Sequence, residues 1–241
     1  MTKEELEKKQ SDMHDKIYQH ADNKGLVKEG LCPIYDGVAD IEEYLSSSPK
    51  IMWILKEPYD EVTESGEPTG GGWYLPDVLK EDKWKNRPMW QLMIQIDFGI
   101  RNNKNWIDMD YIDNDPKMAE ELKKMAYINL SKMPGSKTSK DGNLWECYAL
   151  WKDILFEQIE LYKPDVIIFG KTFQFFKNDL KIVENPIYSI SDKMRVNAYK
   201  KNGMILIDAY HPSGPGKGGE GTWDNKYVNN IINAYREVSK K

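Results

Sequence analysis

Cysteine is scarce in this chain: Cys32 and Cys147 are the only two among 241 residues. Two are too few for a disulfide framework, a four-Cys zinc site or a four-Cys iron–sulfur cluster, so no metal or cofactor is expected and a reducing cytoplasm is the expected compartment. Long apolar runs are missing as well. None approaches the ~20 residues of a membrane span, and the polar, charged N-terminus has no apolar centre that would suit a signal peptide. Positive charge is not in excess either: 34 basic side chains face 39 acidic ones, a net charge of −5. Nothing global therefore attracts nucleic acid, and a nucleic-acid site would need a locally basic face. No low-complexity linker divides the chain, so one α/β domain with long loops is the expected organisation.

What the sequence does contain is a series of short apolar runs, each leading into a turn rich in ionisable groups or glycine. Residues 51–55 (Ile-Met-Trp-Ile-Leu) show no alternation and carry β-branched and aromatic side chains, which suits a strand covered on both faces. Runs 126–130, 166–169 and 204–208 read the same way. Between them, helices are expected over 89–98, 118–125, 145–162 and from Thr172, with a closing helix at 223–238 and an antiparallel excursion over 186–199. Residues 2–20 have a thin apolar stripe of Leu6, Met13, Ile17 and Tyr18 and predict an amphipathic surface helix, with His14 and His20 solvated. A short helix over 38–45 follows. Four apolar strands separated by helices predict a three-layer α/β/α domain with a central, mostly parallel four-stranded sheet, spanning 1–241 with an N-terminal helical extension at about 1–45.

The chemistry gathers at the strand exits, where open α/β sheets hold ligands. Pro58 cannot donate to a ladder, so the first strand stops near Lys56 or Glu57, and Glu57, Tyr59 and Asp60 emerge into a loop. A long irregular segment over 61–85 includes Gly70-Gly71-Gly72, then Trp73 and Tyr74, which form either a stacking platform for a planar ring or a lid with an apolar anchor. Asn129 ends the second strand, where its amide can read a base edge or cap a turn. Gly170-Lys171-Thr172 after the third strand lacks the upstream glycine of a P-loop, which argues against nucleoside triphosphates. The last strand leads into His211-Pro212-Ser213 and a glycine-rich arc, which can fix an imidazole and aim backbone N–H groups at an anion.

Taken in order, Glu57-Pro58-Tyr59, Asn129-Leu130-Ser131 and His211-Pro212-Ser213 resemble the motifs of the uracil-DNA glycosylase superfamily. The resemblance implies a divergent member that hydrolyses the N-glycosidic bond of uracil or another damaged or deaminated base in single- or double-stranded DNA; separately, a monomer is expected. By the same resemblance Glu57 positions or activates water, Tyr59 walls the base pocket and Asn129 reads the pyrimidine edge. His211 supports the departing base, Ser213 grips a backbone phosphate, and Trp73 or Tyr74 stacks on the base. Because the chain is acidic, DNA contact is expected to depend on a local patch of Lys56, Lys171 and Lys217. Two readings from other classes stand beside this one: a non-catalytic nucleic-acid or nucleotide-binding module of the same fold, and a small-molecule hydrolase using Glu57 and His211.

Overall fold

The computed structural model describes residues 1–80, 88–135, 141–191, 194–213 and 222–241. The elements run α1 (Lys3–Asn23), β1 (Gly37–Val38), α2 (Ile41–Ser46), β2 (Ile51–Leu55), α3 (Leu75–Lys80), α4 (Pro88–Asn102), β3 (Met125–Asn129), α5 (Asp141–Tyr162), β4 (Val166–Gly170), α6 (Phe173–Phe176), β5 (Tyr188–Ile190), β6 (Val196–Lys201), β7 (Met204–Ala209) and α7 (Thr222–Ser239). The four strands expected from apolar runs are β2, β3, β4 and β7, and they pair in parallel in the order β3-β2-β4-β7. The sheet is wider than four strands. Antiparallel β1 extends it beside β3, and antiparallel β6 and β5 extend it beside β7, giving seven strands in a mixed sheet. The excursion at 186–199 is this β5–β6 pair, and its partly exposed side chains explain why it lacks the continuous apolar signal of the central strands.

All five residues of β2, β3 and β4 are buried, and their alternation splits the interior in two. Ile51, Trp53, Leu55, Met125, Tyr127 and Ile168 join α4 and α7 on one face. Met52, Ile54, Ala126, Ile128 and Phe169 join α1, α2 and α5 on the other. Helices thus cover both faces, as non-alternating strands require. Helix α1 begins at a reciprocal capping box between Thr2 and Glu5. It is more than a surface attachment, because Leu6, Ile17 and Ala21 are fully buried in the second core. The solvated roles expected for two histidines give way to packing: His14 is buried with Nε2 3.0 Å from the Asp36 carbonyl oxygen, and His20 Nε2 lies 2.9 Å from the Leu150 carbonyl oxygen. The helix expected at 118–125 is a 3-10 helix, Pro116–Lys124, whose Met118 and Glu121 turn inward three residues apart.

One polar cluster lies deep in the first core. Trp53 Nε1 donates to Asp97 Oδ1 at 3.0 Å, Arg101 lies 3.7 Å from Asp97 Oδ2, and Arg101 also pairs with Glu121. Burial pushes the Asp97 carboxyl up to about 7, against the opposing pull of Arg101 and the Trp53 hydrogen bond. A folded-state value above the ordinary 3.8 means the folded chain holds a proton that the unfolded chain releases. This contribution to stability is full below about pH 4 and is lost as pH rises through 7. Asp97→Asn is expected to remove about one proton from the pH dependence of unfolding between pH 4 and 7, roughly 1.4 kcal/mol per pH unit at its steepest. Urea unfolding across that range measures it, and an unchanged slope would show that Asp97 is ionised in the folded protein.

Candidate functional site

The carboxyl ends of the four parallel strands form one row. Leu55 pairs with Asn129 and Gly170 with Ala209, while Leu55 and Gly170 each follow directly on the paired Ile54 and Phe169. By strand alternation Asn129 faces the same side as Tyr127, and Gly170 the same side as Ile168, which is the side of the first core. The row therefore reads Asn129, Leu55, Gly170, Ala209 across one face, with His211 just beyond. Gly170 is small for a reason. A β-carbon there would run into the Leu55 side chain and sit 3.3 Å from Pro212 and 3.6 Å from the His211 α-carbon, so the His211-Pro212-Ser213 turn folds over the bare backbone. Tyr227 on α7 holds the start of that turn by donating its hydroxyl to the Tyr210 carbonyl at 2.7 Å.

The His211 ring is oriented by its own turn. The Ser213 backbone N–H donates to Nδ1 at 3.2 Å, and the Ser213 hydroxyl lies 2.7 Å from the same nitrogen. An Nδ1 that accepts an N–H is unprotonated, so the neutral ring carries its proton on Nε2 and offers Nε2–H as a donor. Burial, with the nearby charges of Lys56 and Lys171, lowers the ring to about 4. The imidazole is therefore neutral at pH 7. Substituting both Lys56 and Lys171 by Gln is expected to raise the His211 value above 4 without restoring the ordinary 6.5, since burial remains the larger cause. An NMR titration of the ring reads the shift directly, and no movement would place the two ammonium groups too far away to matter.

Asn129 lies at the other end of the row. It is 1% exposed, and neither Oδ1 nor Nδ2 has a hydrogen-bond partner. Leaving a buried amide unsatisfied costs about 1–3 kcal/mol for each group, so its presence at a strand exit calls for a reason beyond packing. Two strand spacings of about 4.8 Å, about 10 Å in all, separate Asn129 from the Gly170 position beside His211, and the Leu55 side chain stands between them.

Glu57 follows β2, which lies between β3 and β4 in the sheet, and leans toward the loop after β3. A β-carbon on Gly135 would collide with the Glu57 side chain, and the Glu57 charge contributes to the raised value of the Cys147 thiol, for which burial is the main cause. The strand pairing continues past β2 and β3 through Leu130 N–H to the Leu55 carbonyl at 2.8 Å and Ser131 N–H to the Lys56 carbonyl at 3.0 Å, which holds this turn in place. Tyr59 is 47% exposed and bridges to Gly135.

The structure separates the two aromatic candidates. Trp73 packs against the first core, the Asn129 side, and its Nε1 donates to Asp60 Oδ2 at 2.7 Å. The same oxygen accepts the Gly71 N–H at 2.7 Å. Gly71 has φ +81° and lies against the Cys32 carbonyl, an approach that only a residue without a β-carbon allows. Tyr74, by contrast, stacks on Tyr35 at 4.8 Å and sits 5.2 Å from His14 of α1. It belongs to the opposite layer and is not part of the row. Lys56 and Lys171 are at the row, as their effect on His211 requires. Lys217 falls outside the described residues. The Gly170-Lys171-Thr172 turn is closed to phosphate: the Lys171 N–H donates to the Ala209 and Phe169 carbonyls at 2.8 and 3.0 Å, and the Thr172 hydroxyl donates to the Ile54 carbonyl at 2.7 Å. Among the described residues no group of three or more His, Cys, Asp or Glu side chains is placed to hold a metal ion, and no helix is long and apolar enough to cross a membrane.

No protein-family model and no curated protein matches this chain.

Two residues that sequence reasoning passed over complete the site. Asp36 and Lys132 form a fully buried ion pair against the Asn129 backbone. Their separation of 96 positions leaves no local signal in the sequence.

Proposed function

We propose that this protein is a DNA glycosylase-like hydrolase of the uracil-DNA glycosylase superfamily, cleaving the N-glycosidic bond of uracil or another damaged base. The observation that carries the reading is the buried Asn129 carboxamide, unpartnered at both polar atoms, at the same sheet edge as a neutral His211 whose Nδ1 accepts the Ser213 N–H. A pyrimidine edge presents both an acceptor and a donor, which one carboxamide satisfies together. Cleavage leaves a cationic sugar and an anionic base. A neutral imidazole N–H favours the second, and the Glu57 carboxylate favours the first while orienting the water that adds to the sugar carbon. Trp73, fixed by Asp60, supplies an apolar wall on the Asn129 side. A base must leave the helix stack to be cleaved, and Tyr59 and Tyr210, 47% and 38% exposed just past the ends of β2 and β7, offer it flat faces. In this reading Ser213 serves the imidazole rather than a phosphate.

Single-turnover cleavage of oligonucleotides carrying uracil, hypoxanthine or only normal bases tests the proposal. Cleavage of a modified strand alone is expected, with strand affinity falling as salt rises because Lys56 and Lys171 are the cations at the row. Asn129→Ala is expected to narrow the difference between uracil and cytosine strands. Binding of strands without release of base would favour the non-catalytic module instead, and binding that ignores salt would point to a small-molecule ligand.

A further inference from the structure

Asn129 cannot hold its own amide in place, because neither polar atom of the side chain is bonded to anything. Its direction therefore depends on its packing and on its backbone. That backbone lies where the sheet offers no support on its outer side: β1 pairs with β3 only at Gly37–Tyr127 and Val38–Ala126, two residues short of Asn129. Side chains stand in for the missing strand. The Asn129 N–H donates to Asp36 Oδ2 at 2.7 Å, and its carbonyl accepts from Lys132 Nζ at 2.8 Å. Lys132 Nζ also reaches Asp36 Oδ1 and Oδ2 at 2.9 and 2.8 Å and Gln158 Oε1 at 2.7 Å, while Gln158 Nε2 donates to Asp36 Oδ1 at 2.8 Å. All three side chains are completely buried. The clamp is itself anchored: the Ile34 N–H donates to the Lys132 carbonyl at 2.7 Å, and His14 Nε2 lies 3.0 Å from the Asp36 carbonyl oxygen.

A buried ion pair is an inefficient way to gain stability, since well-packed apolar residues of similar volume commonly do as well. What this pair supplies, and an apolar pair does not, is two charge-assisted hydrogen bonds to the peptide groups on either side of one α-carbon. We infer that Asp36 and Lys132, bridged by Gln158, are positioning residues that set the direction of the Asn129 carboxamide toward the ligand. The inference takes its ligand from the proposed function, but the geometry it asserts is independent of catalysis.

The experiment combines an apolar replacement with a readout at Asn129 itself. In the double variant Asp36→Leu/Lys132→Met, the Asn129 side-chain amide signals, assigned by their loss in Asn129→Ala, are expected to shift and broaden. Those of Asn230, whose Nδ2 donates to the Met194 carbonyl at 3.0 Å in the buried interior, should stay in place. In the cleavage assay the same variant is expected to lose at least tenfold of its preference for uracil over cytosine, with single-strand affinity within twofold of the parent. Should the double variant not fold, Gln158→Leu keeps the ion pair but removes its bridge, and a smaller shift of the same signals is expected. Unmoved Asn129 signals in a folded variant would overturn the inference and leave the network as core packing alone. A parent that cleaves no strand would remove the proposed reaction, while the amide signals would still decide whether the clamp positions Asn129.

Discussion

Asp36→Ala should cost about 3–5 kcal/mol of folding stability, the range found when one member of a buried ion pair is removed. The loss comes less from the attraction forfeited than from what remains: a Lys132 ammonium with no exposure, held only by the Asn129 carbonyl and Gln158. The Asn129 N–H and the Gln158 amide would each lose their acceptor as well. Burial already lowers the Lys132 value from the ordinary 10.5 against the pull of Asp36, so without the carboxylate that depression should deepen. Urea unfolding of the single variant and of Asp36→Leu/Lys132→Met separates the two contributions. The double variant should recover much of the loss, because it leaves no buried charge. A single variant within about 1 kcal/mol of the parent would mean that water reaches Lys132, contrary to its burial.

His211→Ala should lower single-turnover cleavage of a uracil strand by about 10²–10³-fold, the effect of losing one aimed donor to a developing anion. Strand affinity should hardly change, because the donor acts on charge that appears only as the bond breaks. The acid limb of the parent's pH profile should fall near 4, where the ring titrates, and not near 6.5. Glu57→Gln is the complementary test: it keeps size and hydrogen bonding, so turnover should fall while affinity stays level or rises slightly. Equal losses of affinity and turnover in both variants would indicate that the two groups bind the ground state and take no part in the chemistry.

The central strands were legible because their signal is local. Five consecutive buried residues in β2, β3 and β4 leave unbroken apolar runs, and Pro58 and Pro164 mark where regular structure ends or resumes. The exits followed from the same reading, and with them Glu57, Asn129 and His211. The two-residue β1 escaped because it is too short to repeat a pattern, and β5 and β6 were expected only as an antiparallel excursion, outside the count of sheet strands. The burial of His14 was also hidden, since the partners that enclose it, Asp36, Tyr35 and Tyr74, come from other parts of the chain.

The sequence by itself determined the parallel core, the residue types at its carboxyl edge and the turns that deliver them, because strand periodicity and proline punctuation act over a few neighbouring residues. Only the tertiary structure decided which of those groups share a face. Trp73 and Tyr74 are adjacent in sequence yet serve opposite layers, and the proton position on His211 depends on how the turn brings Ser213 back onto the ring. The support beneath Asn129 comes from Asp36, Lys132 and Gln158, on three separate segments. Hydrogen bonds between distant segments leave no period in a sequence, because they are selected by packing in three dimensions.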